Sequence, residues 1–332
     1  MIKMDREQIL NTLANYIKLM SSGVKKPGMT EGRSGLSVCL FEIARFLKEK
    51  TLENYAFKLL KQSLLSNTKD ISIDYGLSGV GFALHYLIEN KFVQADFGEI
   101  FHDKHLHIID KILKLDNKNM SEKDMLEHLK LNLYLSRIYN GKDSLAIQSF
   151  NHCCLLYFSS KWEQAYKKQK TIDIEDLNIK WRKALSYISL QNESINPSLF
   201  KYYKLFQYKG LVKSDPFVIY HTVQMSTSTE ENRIIPDNLI KQHIHLLQAG
   251  IYNWLSDFAS PLANCPEIRE RFMEIFIVDS DSALEKKIRE LIWNDMSNPL
   301  SLNSGIGRVV LQLLFCYIPD KTRMRIIDLL LL

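Results

Sequence analysis

The chain has 332 residues, of which 46% are hydrophobic and 24% charged, a composition typical of a globular protein and not of a disordered one. The net charge is only +5, a bias too weak to predict nucleic-acid binding without local clustering. Five cysteines with no C-x-x-C spacing argue against a disulfide framework and a finger-type zinc site. The N-terminus has no signal-peptide pattern, and no apolar run reaches the ~18 to 20 residues that span a bilayer. We therefore expect a soluble, cytoplasmic protein.

Helical periodicity dominates the chain from its first residues. Apolar positions recur three and four residues apart in almost every window, which predicts roughly fourteen to sixteen helical segments of ordinary length. Ser121 with Asp124 is a capping signature and predicts a helix start, and Pro236 and Pro266 suit a first helical turn. One run, Pro216 to Val223, has β-leaning composition, but it is short and isolated, so we expect no strand ladder.

Glycine-rich turns are the informative feature, because glycine is costly inside helices and usually answers a geometric need. Each of three such turns runs into an apolar helix, and they align on one another as Ser-Gly-apolar, with a weaker fourth copy at Gly250. The turn glycines are Gly32, Gly35, Gly76, Gly79, Gly81, Gly250, Gly305 and Gly307.

The spacing of these turns suggests an internal repeat. Gly35 and Gly79 are 44 residues apart, and Gly250 and Gly305 are 55 apart. The interval from Gly79 to Gly250 is 171 residues, which divides into four steps of about 43. Degenerate copies would then fall near residues 122, 165 and 207, giving about seven helix-pair repeats. Because one pair cannot bury its own apolar face, we predict an all-α fold, a single (α/α) toroid over residues 1–332. An open superhelix of helix pairs is the alternative.

The repeated helix pairs and their Gly-x-x-Gly and Ser-Gly-x-Gly turns resemble the lanthionine synthetase C-like (LanC-like) family. That resemblance implies a double ring of helices, seven inside seven, and a cyclase zinc site formed by a Trp-Cys-x-Gly turn and a Cys-His-Gly turn. In repeat position these match Leu205–Gly210 and Gln248–Gly250, neither of which contains cysteine or histidine. An Ala-His-Gly turn, which places a catalytic histidine in the family, does not occur in the sequence. We therefore expect no zinc and no other cofactor, and we assign no catalytic residue.

The resemblance implies action on a ribosomally made peptide, as in lanthipeptide biosynthesis. We expect the chain to bind such a peptide, as a pseudoenzyme or a cyclase that works without zinc. Its partners would be the peptide or an enzyme of the same modification system. The residues expected to line its pocket lie on or beside turns, or near apolar runs: Arg33, Asp74, Gln207, Tyr208, His221, Gln248, Tyr252 and Asn303. Amide and phenol groups there suit an extended peptide backbone.

Two other classes of protein remain open. A non-catalytic helical-repeat scaffold would bind a partner protein and do no peptide chemistry. An (α/α)-barrel glycan-processing enzyme would need two carboxylates across a cleft, for which Asp74 and Asp257 are the candidates.

Three further segments could hold a ligand. His102–His107 contains three histidines, but helical geometry separates His107 from the other two. His152, Cys153 and Cys154 are consecutive, and both cysteines are expected to face the core. The segment Gly28–Gly35 could hold an anion at a helix N-terminus.

Overall fold

A computed structural model describes residues 6–115, 120–138, 144–168, 173–189, 197–208, 299–302, 305–318, 325–326 and 329. All regular elements in these ranges are helices, which confirms the predicted all-α class. The chain forms two compact units, Met1–Leu115 with Arg269–Leu330, and Asp116–Ile268. The single toroid domain stays a prediction.

The described helices divide between the two units. The first unit contains α1 (Arg6–Met20), α2 (Arg33–Leu47), α3 (Lys50–Leu64), α4 (Leu77–Glu89) and α5 (Phe97–Leu113). The second contains α6 (Glu122–Ile138), α7 (Ser144–Lys168), α8 (Ile174–Ser189), a 3-10 turn (Pro197–Phe200) and α9 (Lys201–Tyr208). The last described helix, α10 (Ile306–Tyr317), returns to the first unit.

Inner and outer helices alternate in the first unit. Eleven consecutive residues of α2, 34–44, are buried on every side of the helix, and the start of α4 is buried in the same way. By contrast, α1 and α3 bury only one stripe, as amphipathic surface helices do. Besides its outer neighbour α3, helix α2 packs against α4 and α10. Helices α2, α4 and α10 therefore form an inner layer.

Helices α2 and α4 lie side by side in repeat register. In the turns that precede these helices, Thr30 forms a hydrogen bond with Asp74, and within the helices Glu42 forms one with Tyr86. The two residues of each pair are 44 positions apart in sequence. Equivalent positions of two successive repeats therefore touch, which confirms the predicted spacing for the first two.

The second unit has its own core. Trp162 of α7 and Trp181 of α8 are fully buried and pack with Phe158, Tyr203 and other apolar side chains. The predicted helix start at Ser121 is confirmed, since the Ser121 hydroxyl accepts a hydrogen bond from the Asp124 N–H at 3.2 Å.

The constant period fails after the third repeat. Helix α6 begins at Glu122 and is buried on all sides over residues 128–135, in agreement with a repeat near 122. The predicted copy near 165 is wrong, because this position lies near the C-terminal end of α7 and not at a helix start. The copy near 207 falls at the end of α9, and the residues that follow Tyr208 lie outside the described part. Helix α7 has 25 residues, whereas α3 and α5, the helices that follow α2 and α4, have 15 and 17. This extra length shifts the later helices along the sequence.

In the part of the chain that the structure describes, no helix combines the length and apolarity needed to cross a bilayer. The β-leaning run at 216–223 and the expected helix starts at Pro236 and Pro266 lie outside the described residues.

Candidate functional site

Three turns that precede inner helices share one backbone geometry. In each, the glycine before the helix is extended, with φ of −137° at Gly32, −118° at Gly76 and −96° at Gly305. The first helical residue then donates its N–H to the carbonyl seven positions upstream. These bonds are Arg33 to Lys26 at 3.0 Å, Leu77 to Asp70 at 2.8 Å and Ile306 to Pro299 at 2.9 Å.

This geometry corrects the sequence alignment of the third turn. The Ser-Gly pattern matches Gly305 to Gly35 and Gly79, but Gly305 directly precedes its helix and therefore corresponds to Gly32 and Gly76. A short Ser-Gly match fits more than one register, whereas the turn's hydrogen bond fits only one. Arg308 takes the place of Gly35 and Gly79.

Gly35 and Gly79 allow an inner helix to approach its own turn. A Cβ on Gly35 would lie 1.9 Å from the Met29 carbonyl oxygen, and one on Gly79 would lie 2.0 Å from that of Ile73. Only glycine fits at such distances. In the third turn, Arg308 reaches the equivalent carbonyl with its side chain instead, and its Nη1 donates to the Leu302 oxygen at 3.3 Å.

The three turns are bonded edge to edge, and we call them the collar: Lys26–Gly32, Asp70–Gly76 and Pro299–Leu302. The first turn lies between the other two. Its bonds are Met29 N–H to the Ile73 carbonyl at 2.8 Å, Glu31 N–H to the Asp74 carbonyl at 3.1 Å, and Leu302 N–H to the Thr30 carbonyl at 2.7 Å. The turns at residues 30 and 302 are thus neighbours in space.

Polar side chains reinforce the collar. The Thr30 hydroxyl donates to Asp74 Oδ1, and the Ser301 hydroxyl donates to Glu31 Oε1 at 2.6 Å. Thr30, Asp74 and Ser301 are all buried, whereas Tyr75 is 45% exposed at the rim. The buried bonds join the turns, and Tyr75 offers a surface for a ligand.

Arg33, an expected pocket residue, lines a small cleft of about 210 Å³ beside the collar. Its Nε donates to the Val24 carbonyl at 2.5 Å, and the Ser21 and Tyr55 hydroxyls bond at 2.8 Å on the same wall. The anion site considered at this helix start is not supported. The backbone N–H groups of Arg33 and Ser34 are already bonded to upstream carbonyls.

A buried charge cluster that the sequence analysis missed lies farther along the inner helices. Glu42 is fully buried and receives two bonds from Arg325, at 2.9 and 2.8 Å, and one from the Tyr86 hydroxyl at 2.5 Å. Burial and the Glu42 carboxylate raise the pKa of Tyr86 well above its ordinary value. Burial acts to lower the pKa of Arg325, but its bonds with Glu42 outweigh that effect and raise it. A carboxylate inside the apolar run of α2 was the available signal, but its partner is 283 positions away.

The histidine and cysteine candidates do not form a metal site. Burial and the nearby His102 lower the pKa of His105, whose ring meets Phe97 edge-on at 5.9 Å. Burial, with a smaller effect of Cys153, raises the pKa of Cys154 to about 12. Cys153 is exposed, so the expectation that both cysteines face the core is wrong for it. Within the described ranges, no three His, Cys, Asp or Glu side chains group as metal ligands would.

The residues also do not fit the zinc site that the family resemblance implies. Leu205–Tyr208 is helical, and the two residues that complete the matched segment lie outside the described part. The sequence provides no sulfur or imidazole ligand there. We derive no step through a metal.

The other expected site residues have varied outcomes. Asp74 belongs to the collar. Gly81 is buried in α4, and a Cβ on Gly307 would lie 2.9 Å from the Leu300 carbonyl oxygen. Gln207 and Tyr208 end α9 in the second unit, but their side chains lie outside the described part. The remaining residues also lie outside it: His221, Gln248, Gly250, Tyr252, Asp257 and Asn303.

Comparisons with protein-family models, with curated proteins and with solved structures find no match to this chain.

Proposed function

We propose that the chain is a divergent LanC-like protein that binds a ribosomally made peptide at the collar and contains no zinc. The observation that carries this proposal is the bonding of three inner-helix turns edge to edge. The first and last of these turns are neighbours, which supports a ring of helix pairs closed near the chain ends. A ring of that kind concentrates its turns at one end, where a peptide has access to several of them.

The collar can bind a peptide without activating it. Tyr75 supplies an exposed aromatic ring, and Glu31 beside it supplies a carboxylate that accepts peptide N–H groups. Because both residues lie on turns fixed by backbone hydrogen bonds, little conformational entropy is lost when a ligand binds.

A synthetic peptide with one dehydroalanine and one cysteine tests this function. We expect it to bind the purified chain in a fluorescence-anisotropy titration. Tyr75→Ala should weaken binding about tenfold, as loss of an aromatic contact at the centre of an interface does. Phe57→Ala is the control, because Phe57 is 51% exposed on the outer helix α3 and lines neither the collar nor the cleft beside it. Equal weakening by both variants, or no binding, would contradict the proposal.

Two further measurements separate binding from catalysis. Addition of the cysteine thiol to dehydroalanine leaves the peptide mass unchanged but removes the thiol, so alkylation followed by mass spectrometry detects it. Ring formation would identify a working cyclase, and its absence with binding retained would identify a pseudoenzyme. One tightly bound zinc per chain in elemental analysis would overturn the metal-free assignment.

The second candidate is a non-catalytic scaffold that binds a partner enzyme. Two side-chain bonds of the collar favour it, Thr30 to Asp74 and Ser301 to Glu31. Thr30 and Ser301 are buried, so their hydroxyls join neighbouring turns and are shielded from a substrate. Co-expression with the products of neighbouring genes discriminates the two. A stable complex that forms equally well with Tyr75→Ala, together with no peptide binding, would favour the scaffold.

A further inference from the structure

A basic cleft of about 280 Å³ opens where α2 and α4 end. Its charged lining comprises Arg45, Lys48, Lys50, Lys91 and a single carboxylate, Glu53. Glu53 pairs with Lys50 at 2.8 Å. Three cationic side chains therefore remain in excess in a concave surface, which is the charge pattern of an anion-binding site.

Two of these lysines occupy backbone conformations that favour glycine. Lys48 has a φ of 57° and Lys91 a φ of 59°, and they are the positive-φ residues other than glycine in the described ranges. Lys48 is the residue that terminates α2, a position where helices commonly use glycine in this left-handed conformation. Neither lysine forms an ion pair with a described residue. Lys48 and Lys91 thus combine a strained backbone conformation with a positive charge in the same cleft.

Arg45 lines the cleft and is held by two contacts. Its guanidinium lies 3.3 Å over the Phe92 ring, and Nη2 donates to the Asn90 carbonyl at 2.7 Å. Phe92 is held in turn by Phe41, with ring centroids 5.7 Å apart. The guanidinium is therefore preorganised before any ligand binds.

We propose that this cleft binds an acidic segment of a polypeptide. Phosphate sites usually present free backbone N–H groups, but here those of Lys48 and Glu49 bond to the Ala44 carbonyl, and that of Phe92 to Leu87. The helix ends also carry partial negative charge, which disfavours a compact multiply charged anion. Separate Asp and Glu side chains avoid this repulsion, since each can reach a different lysine. Arg45 covers one face of Phe92, which disfavours stacking of a nucleotide base.

This inference does not depend on the proposed function of the collar. Loss of binding at Tyr75 and loss at the cleft are measured with different variants and different probes, so the two ideas can fail separately.

A fluorescein-labelled peptide of alternating Asp and Ser residues is the probe, titrated in low salt by anisotropy. The double variant Lys48→Gly with Lys91→Gly should bind it about tenfold more weakly, the sum expected for two exposed charge pairs. Glycine suits both backbone conformations, so the urea midpoint of the double variant should be no lower than that of the parent. If the lysines had only a structural role, the double variant would not combine weaker peptide binding with an undiminished urea midpoint.

The control is Lys61→Gln with Lys111→Gln, which removes two exposed lysines outside both the cleft and the collar. It should leave the affinity within about twofold, because distant exposed charges are screened. Equal loss in both double variants, binding of an Asn/Ser peptide as tight as the Asp/Ser peptide, or displacement of the peptide by millimolar inorganic phosphate would each overturn the proposal.

Discussion

Gly79→Ala sets helix propensity against packing, and the structure predicts which effect dominates. Alanine is favoured over glycine inside a helix by about 1 kcal/mol, so propensity alone predicts stabilisation. The added Cβ, however, would lie 2.0 Å from the Ile73 carbonyl oxygen and 2.4 Å from the Met29 nitrogen. Both are backbone atoms joined by a 2.8 Å hydrogen bond, so neither can rotate away as a side chain would. Overpacking costs about 1 to 3 kcal/mol, and disruption of the hydrogen bond adds about 1 kcal/mol.

After the favourable helix propensity is subtracted, we therefore expect Gly79→Ala to destabilise the chain by about 1 to 3 kcal/mol, measured from the urea midpoint of the helical circular-dichroism signal. Gly98→Ala is the matched control within another helix, α5. Its Cβ would meet only the Asp96 side chain, at 3.1 Å, so we expect stabilisation of up to about 1 kcal/mol. If Gly79→Ala stabilises the chain as the control does, the close approach of α4 to its turn is refuted.

Three other changes test the buried polar groups by the same unfolding assay. Burial lowers the pKa of His128 to about 4 from 6.5, so between those values the unfolded chain binds more protons. Stability should fall by up to about 3 kcal/mol as the pH drops from 6.5 to 4, and His128→Phe should flatten this dependence. Arg325→Met should cost about 3 kcal/mol because it leaves the buried Glu42 carboxylate unpaired, and adding Glu42→Met should recover most of the loss; no recovery would argue against the pair. Thr30→Val should cost about 1 to 2 kcal/mol by removing the donor to Asp74, while Thr30→Ser should not.

Periodicity and turn chemistry were enough to predict the helical class and the first repeat. The 44-residue spacing appears in sequence as two similar turns and in space as the Thr30 to Asp74 and Glu42 to Tyr86 contacts. The two turns can be recognised from short stretches of sequence, because a buried helix needs glycine where the backbone of its own turn passes close to it.

The features that could not be predicted depend on helix length and on distant partners. Helix α7 has 25 residues, and no local signal shows that its repeat is longer than the first two. Equally, nothing near Glu42 identifies Arg325 as its counter-ion. The register of the third turn was also missed, because Arg308 replaces the close-packed glycine and bonds to the carbonyl instead.

The central claim of the proposed function is that the turn before α2 and the turn before α10 meet at the collar, as the proposed ring of helix pairs requires. We would replace Glu31 and Ser301 by cysteine in a chain whose five native cysteines are changed to alanine, and treat it with a short bismaleimide. The Ser301 hydroxyl lies 2.6 Å from the Glu31 carboxylate, so we predict an efficient intramolecular cross-link, seen as faster migration in a denaturing gel. Neither single-cysteine variant should show this shift. No cross-link in the folded double variant, as in an open superhelix with separated ends, would contradict the claim.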